Sequence, residues 1–256
     1  MARVFISGSS TGLGLMAGQL LVEQGHQVVL HARNRGRAEA ARASLSEVED
    51  VVIGDLSTIA GARSVAEQVN KLGRFDAVIH NAGVGYREPR RNATEDGLPQ
   101  VFAVNTLAPY ILTARIKRPK RLVYLSSGMH HRANTGLDDL DWTKRRWQGA
   151  EAYAESKFHD VLLAFAVARL FPDVLSNALE PGWVATKMGG PGAPGDLSAA
   201  PTTQVWLATS NDAAARVSGQ YFYHRKLLAP NPAARDVKKQ ERLLEACRQF
   251  SGVAFG

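Results

Sequence analysis

Short apolar segments alternate with helix-forming segments along the chain, and this alternation restricts the possible folds more than any other feature. The segments with the apolar content and length of strands are residues 4–7, 27–31, 51–54, 77–80, 121–126, 175–179 and 220–223. Helical spacing or composition marks the stretches near 14–24, 37–45, 59–69, 96–112, 150–170, 201–209 and 236–249. Strands that alternate with helices predict a parallel sheet covered by helices on both faces. We therefore expect an α/β fold, a single doubly wound domain over residues 1–256 with a seven-stranded sheet.

The composition excludes several other classes of protein. The formal charge is +7, but the Lys and Arg residues are scattered and have no zinc-finger or aromatic-basic pattern, which argues against nucleic-acid binding. The single cysteine, Cys247, cannot form an internal disulfide and suits a reducing compartment. The N-terminus does not have the pattern of a signal peptide, and no apolar run is long enough to span a membrane. The sequence thus predicts a cytoplasmic protein without nucleic-acid or membrane partners.

A glycine-rich turn follows the first predicted strand and opens the first predicted helix. It reads Ser-Gly-Ser-Ser-Thr-Gly-Leu-Gly over residues 7–14. Glycine permits positive φ and close backbone approach, and free amides at a helix start favour a phosphate. The alternative is an ordinary tight turn. The helix can also pack close to the sheet, because Gly14 and Gly18 lie one turn apart.

The spacing Gly8-x-x-x-Gly12-x-Gly14 resembles the motif of the short-chain dehydrogenase/reductase family, with Ser7 where that family usually has threonine. The resemblance extends over nearly the whole chain and implies a Rossmann-type fold that binds a nicotinamide cofactor. It implies cofactor contacts from Gly8, Ser10, Thr11, Gly12, Leu13, Gly14, Arg33, Asn34, Asp55, Leu56, Asn81, Ala82, Gly83, Tyr153, Lys157, Pro181, Gly182, Val184 and Thr186.

The end of the second strand indicates which cofactor is bound. Ala32 stands where family members that use NAD carry aspartate, and Arg33 follows directly. A carboxylate would repel the additional phosphate of NADP, whereas a guanidinium can bind it through two hydrogen bonds. We therefore predict NADP(H). The alternative is that Arg33 is only a solvated loop cation.

Tyr153 and Lys157 lie four residues apart, so they share one face of the long predicted helix. A nearby ammonium favours the phenolate, and a phenol tuned in this way can exchange a proton with a carbonyl or an alcohol. The resemblance adds Ser127, with Ser126 as the alternative, to hold the substrate oxygen. It also adds Asn105, which in the family joins the lysine through a water relay. The predicted catalytic residues are Asn105, Ser127, Tyr153 and Lys157.

An insert at about 129–150 separates Ser127 from Tyr153 more widely than in many members, and a Gly/Pro-rich stretch at about 187–200 predicts a substrate loop. These features resemble the retinol-dehydrogenase-like branch. His130 and His131 lack an established metal-ligand spacing, so we predict no metal site and expect them to line the cleft or meet solvent. Trp142 and Trp147 either wall the substrate pocket or pack the insert.

Together these residues predict a carbonyl reductase: an NADP(H)-dependent oxidoreductase that interconverts an aldehyde or ketone and an alcohol, with Tyr153 as acid and base. Two alternatives stay open, a non-catalytic NADP(H)-sensing or scaffolding protein on the same fold, and a reductase of a carbon–carbon double bond. The expected partner is a small-molecule carbonyl or alcohol substrate. The resemblance also implies a homodimer or homotetramer, which in the family often pairs through the helices that hold Asn105 and Tyr153.

Overall fold

Eight strands form one sheet in the computed structural model, which describes residues 1–255. The strands are β1 (Arg3–Ile6), β2 (Gln27–Ala32), β3 (Asp50–Ile53), β4 (Ala77–His80), β5 (Arg121–Leu125), β6 (Leu175–Glu180), β7 (Tyr221–Tyr223) and β8 (Lys226–Leu227). Their order is β3-β2-β1-β4-β5-β6-β7-β8, and every neighbouring pair is parallel except β7 and β8. The predicted α/β fold is confirmed, and its seven parallel strands are all present.

The eighth strand corrects the predicted number. It pairs antiparallel with β7 across a turn at His224 and Arg225, both of which have positive φ. Hairpin turns with positive φ at both central residues usually contain glycine or asparagine. Neither residue stands here, so the sequence carried no signal for β8.

Within residues 1–255, eight α-helices connect and cover the strands. They are α1 (Gly12–Glu23), α2 (Arg35–Ser44), α3 (Ile59–Lys71), α4 (Gln100–Phe102), α5 (Ala108–Arg115), α6 (Gly149–Leu170), α7 (Thr202–Thr209) and α8 (Val237–Ser251). Successive side chains of a strand point to opposite faces. In β1, Val4 and Ile6 pack with α1, α2 and α7, whereas Phe5 packs with α3, α5, α6 and α8. The sheet is therefore the middle of three layers.

The helix that carries Asn105 is irregular near Pro99 and Pro109. It begins at Gln100, after Pro99, because residues 94–97 form a turn with Gly97 at positive φ. A π-helical turn over Ala103–Leu107 joins α4 to α5. The predicted start near residue 96 was therefore too early, and α5 continues to Arg115, beyond the predicted end.

The central part of α6 is enclosed by the chain itself. Every residue from 152 to 167 is buried, and α8, β5, β6 and the 3₁₀ turn Gly128–Arg132 all contact this helix. The segment 101–112 is buried as well. Pairing of subunits through these two stretches would require the covering elements to move, and the oligomeric state stays a prediction.

The insert packs against the body of the molecule. Trp142 is 5% exposed, meets Trp147 edge to face at 5.2 Å between ring centroids, and contacts Val101 and Ala152. The Trp147 indole donates to the Glu88 carbonyl at 2.9 Å. Of the two interpretations of these tryptophans, the structure favours packing of the insert.

Among residues 1–255, no helix is both long enough and apolar enough to cross a membrane.

Candidate active site

The glycine turn leaves no space for side chains at two of its glycines. Gly8 has φ +62°, and a Cβ there would lie 2.5 Å from Ala82 Cα. A Cβ on Gly14 would overlap Asn81 Nδ2 and lie 2.8 Å from the Gly8 carbonyl. Thr11, which precedes α1, makes no capping bond with its side chain, and the first turn of α1 holds no acid. The first amides of this helix are therefore available to an anionic ligand.

Asn81 joins the turn to the end of β4. Its side-chain amide donates to the Ser7 and Gly8 carbonyls at 3.1 and 2.9 Å. The Ser7 hydroxyl accepts from the backbone amides of Asn81 and Ala82, both at 3.1 Å. Ser7 thus ties β1 to β4 at the position where the family usually has threonine.

His31 also supports the glycine turn, although no sequence motif assigned it a role. Its Nδ1 accepts from the Gly8 amide at 2.9 Å, so its Nε2 carries the proton and donates to the Gly54 carbonyl at 2.9 Å. Burial lowers the pKa of His31, which keeps the ring neutral for both bonds. The only signal in the sequence was a histidine inside an otherwise apolar strand.

A cavity of about 620 Å³ opens beside the turn at the carboxyl ends of β1, β4, β5 and β6. Ligands of open α/β sheets bind at such strand ends. The predicted site residues that line it are Gly8, Thr11, Gly12, Leu13, Asn81, Gly83, Tyr153, Lys157, Pro181 and Thr186. Its other walls are Met16, Val84, Gly85, Tyr86, Arg87, Glu88, Leu125, Ser126, Ala185, Lys187, Met188 and Leu197. The predicted residues outside these walls are Ser10, Gly14, Arg33, Asn34, Asp55, Leu56, Ala82, Asn105, Ser127, Gly182 and Val184.

Tyr153 and Lys157 reach this cavity from one face of α6. The Lys157 ammonium donates to the Leu125 carbonyl at 2.7 Å and to Asp160 Oδ2 at 2.9 Å, and it lies 5.8 Å from the Tyr153 ring centroid. The Tyr153 hydroxyl meets the Met188 sulfur at 3.7 Å, and its ring meets the Tyr86 ring edge to face. The phenol therefore lies between the lysine and the loop after β6.

The pKa of Tyr153 differs from the sequence-based expectation. Burial raises it above its usual value, although the Lys157 ammonium and a hydrogen bond with Ser127 act to lower it. The expectation counted the positive charges near the phenol, that of the ammonium and that of an oxidised nicotinamide. It omitted the desolvation of a phenol that is 6% exposed, and the Asp160 carboxylate, which also acts to raise this pKa.

The two serines after β5 have different partners. The Ser126 hydroxyl donates to the Lys157 carbonyl at 2.7 Å and is buried. The Ser127 hydroxyl accepts from the Met129 amide at 3.3 Å and bonds to Tyr153. Ser127 is therefore the serine beside the phenol, and Ser126 fastens β5 to α6.

Asn105 is fully buried in the π-helical turn. Its side chain accepts from the Val84 amide at 2.8 Å and donates to the Val84 carbonyl and to Ser156 Oγ. In an α-helix, each backbone carbonyl accepts a hydrogen bond from the amide four residues later in the chain. For Asn105 that residue is Pro109, which has no N–H. The backbone carbonyl of Asn105 thus lacks its α-helical donor, and π-bulges of this kind often mark functional sites.

Three arginines follow β2 in short succession: Arg33, Arg35 and Arg37. All three are exposed, and none forms an ion pair within residues 1–255. Arg35 and Arg37 lie in the first turn of α2, where the helix dipole disfavours cations. Asn34 caps this helix by accepting from the Arg37 amide at 3.1 Å. Arg33 is the only one of the three that a sequence motif pointed to, although all stand within five residues.

Asp55 and Leu56 lie in the turn after β3. Asp55 accepts from the Ser57 amide at 2.9 Å, and Leu56 is 5% exposed in the core. Their contact with an adenine stays a prediction.

The segment after β6 supplies part of the cavity wall, including Pro181, Thr186 and Met188. Gly182 has φ +86°, Val184 is 4% exposed, and Thr186 Oγ1 accepts from the Gly189 amide at 3.2 Å. Trp183 is 58% exposed, and its indole donates to the Gly189 carbonyl at 3.0 Å. Trp183 therefore braces the loop and is not among the cavity walls.

His130, in the insert, is held inside the fold by both of its ring nitrogens. His130 Nδ1 donates to the Ser127 carbonyl at 2.7 Å, and its Nε2 accepts from the Asn231 amide at 3.1 Å. Both ring nitrogens are therefore occupied. His130 is fully buried and stacks between His131 and Tyr221, so the expectation that it lines the cleft or meets solvent was wrong.

Comparison with known proteins identifies relatives along the whole chain. The family described as short chain dehydrogenase matches residues 2–122. An oxidoreductase of Emericella nidulans is 44% identical over 99% of this chain and 98% of its own length. Retinol dehydrogenase 13 of Homo sapiens is 30% identical over 98% of this chain and 84% of its own.

Solved structures share the fold. A protein from Mycobacterium Paratuberculosis superposes with a TM-score of 0.86 at 22% identity, over 100% of this chain and 95% of that one. A blue fluorescent protein from a metagenomic library, in complex with NADPH, gives a TM-score of 0.70 at 20% identity, over 86% of this chain and 95% of that one. The chain belongs to the short-chain dehydrogenase/reductase family of oxidoreductases and has retinol-dehydrogenase-like relatives.

Proposed function

We propose that this protein is an NADP(H)-dependent oxidoreductase that interconverts an aldehyde or ketone and the corresponding alcohol. The observation that carries the proposal is the convergence of the Tyr153 phenol and the Lys157 ammonium on a cavity whose other wall is the glycine turn. A proton donor and a dinucleotide cradle on one cavity are the two components that such a reaction requires. The name of retinol dehydrogenase 13, a relative, denotes an enzyme of alcohol oxidation.

The residues around the glycine turn fit a dinucleotide phosphate. Side chains at Gly8 or Gly14 would fill the space against β4, and the first turn of α1 offers amides without a competing acid. The three arginines after β2 form no ion pair and fit the additional phosphate of NADP. Positive charges at a helix N-terminus interact unfavourably with the helix dipole unless an anion compensates them. NADPH is also the ligand of the fluorescent protein that shares this fold.

In the proposed reduction, bound NADPH supplies the hydride. Ser127 holds the carbonyl oxygen by a hydrogen bond, and Tyr153 donates the proton to the same oxygen. The Lys157 ammonium stabilises the phenolate that remains. The backbone carbonyl of Asn105, which lacks an α-helical hydrogen-bond donor because residue 109 is proline, can hold a water next to the lysine. The apolar and aromatic walls of the cavity favour a moderately hydrophobic carbonyl compound.

A substrate panel tests this proposal. Aldehydes, ketones and enones of graded size are offered with NADPH and with NADH, cofactor binding is measured separately, and products are identified. We expect alcohols as products and a preference for NADPH. Saturated ketones from the enones would indicate double-bond reduction, and cofactor binding without turnover would indicate a sensing or scaffolding protein.

A further inference from the structure

A buried carboxylate lies behind the catalytic lysine, and the proposed mechanism does not use it. We propose that Asp160 is a positioning residue: it fixes the Lys157 ammonium and, through its negative charge, sets the pH range in which Tyr153 exchanges its proton. This inference rests on the proposed function and extends it to the control of the same site.

The geometry brings Asp160 into the machinery. Tyr153, Lys157 and Asp160 are spaced four and three residues apart, so they lie along one face of α6. The Lys157 and Asp160 side chains are 5% and 2% exposed and are joined at 2.9 Å. Of the three ammonium donors, one is taken by Asp160 and one by the Leu125 carbonyl. Because these two acceptors are fixed, the third N–H of the Lys157 ammonium is left for a group in the cavity.

Burial makes this charge pair effective. Charges interact more strongly in a water-poor interior than in solvent, so a carboxylate bonded to Lys157 cancels much of the ammonium's attraction for a phenolate. Burial raises the pKa of Asp160 to about 7, although Lys157 opposes this. Burial also acts to lower the pKa of Lys157, but Asp160 and Tyr153 together outweigh it and the pKa is raised. Lys157 thus stays charged while Asp160 changes charge near neutral pH.

Other titratable groups also pack around Asp160 and its neighbours. Tyr124 of β5 and Tyr221 of β7 face it, and burial raises the pKa of both phenols. Glu180 faces Tyr221, and burial raises its pKa as well. Tyr86 faces Tyr153 from the loop after β4. The carboxylate that bonds directly to the lysine is therefore that of Asp160.

The test compares wild type with Asp160→Asn, which keeps the shape and one acceptor oxygen but removes the charge. Tyr153 must be protonated to reduce a carbonyl, so kcat/KM falls as pH rises through its pKa. Loss of the carboxylate leaves the ammonium uncompensated, and we expect this fall to move down by about one pH unit. NMR titration of ring-labelled tyrosine, with the Tyr153 resonance assigned through Tyr153→Phe, should show the same shift without any turnover.

A matched control is available on the same helix. Glu155 is 3% exposed and pairs with Arg145 at 2.6 Å, away from Lys157. We expect Glu155→Gln to leave both titrations unchanged, and a second neutral variant, Asp160→Ser, to shift them as Asp160→Asn does. A uniform loss of activity without a shift, or an equal shift in Glu155→Gln, would overturn the inference. If wild type reduces no carbonyl, the proposed function fails, and the NMR titration still decides the role of Asp160.

Discussion

At the residue scale, the proposed preference for NADP over NAD rests on the charges at the end of β2. Ala32 stands where an aspartate would repel the additional phosphate of NADP. Arg33 supplies a cation that no residue of the described chain neutralises. Hydrogen bonds to charged groups contribute about 1.5–3 kcal/mol, which corresponds to roughly tenfold to a hundredfold in affinity. Arg33 should therefore matter for NADPH and not for NADH.

We predict that Arg33→Ala weakens NADPH binding by about tenfold or more and leaves NADH binding unchanged. Fluorescence titration with both cofactors measures this. Arg42→Ala serves as control, because Arg42 lies on α2 but pairs with Asp50 at 2.7 Å. Equal losses for both cofactors would show that Arg33 supports the fold and does not read the phosphate.

The site illustrates what residue patterns can reveal. The glycine turn, the tyrosine–lysine pair and Asn81 were recognisable, because each chemical role requires one residue type at a fixed spacing. His31 and Asp160 were not, because their partners lie far along the chain or depend on burial: His31 bonds Gly8 and Gly54 across two strand ends. The raised pKa of Tyr153 was missed for the same reason, since desolvation is a property of the folded site.

At the element scale, the 3₁₀ turn Gly128–Arg132 depends on one neutral histidine. His130 connects the Ser127 carbonyl to Asn231, and burial lowers its pKa to about 4. The unfolded chain takes up this proton near pH 6.5, while the folded protein does so only near pH 4. The stability that His130 contributes is therefore complete above pH 6.5 and is lost as the pH falls towards 4.

We predict that His130→Gln lowers the free energy of unfolding by about 1–3 kcal/mol at pH 7.5, because two buried bonds are disturbed. At pH 5 the difference from wild type should shrink by about 2 kcal/mol, because only the wild type carries this histidine's pH dependence. Urea unfolding at both pH values measures this. A difference that does not change with pH would show that the histidine is not held neutral.

Elements were predictable where local signals were strong. The seven parallel strands follow from apolar runs, and the irregularity near Asn105 follows from Pro99 and Pro109. The start of that helix and the strand β8 were missed, because a turn ending at Gly97 and a hairpin without glycine decide them. The cover that α8 provides for α6 is a tertiary contact that periodicity does not encode.

At the scale of the whole molecule, α8 completes the core over α6. Cys247 of α8 is fully buried in the core cluster, and burial raises the pKa of its thiol. A thiol in this environment reacts only when the surrounding structure opens.

We predict that Cys247 reacts with a thiol reagent only as fast as the whole protein unfolds. Saturating NADPH should slow the reaction further, by about a hundredfold at a concentration of 100 Kd, since a ligand that binds only the folded state shifts the equilibrium by this factor. Labelling kinetics compared with unfolding followed by circular dichroism measure this. Rapid labelling of the folded protein would show that α8 opens independently.

The most direct test of the proposed chemistry is the substitution Tyr153→Phe, which removes one hydroxyl and keeps the ring against Tyr86. Turnover of a reducible carbonyl with NADPH should fall by about a hundredfold to ten-thousandfold, the usual contribution of a general acid. NADPH affinity, measured by titration of the same protein, should stay close to that of wild type. Turnover that survives the substitution would contradict the assignment of Tyr153 as the proton donor.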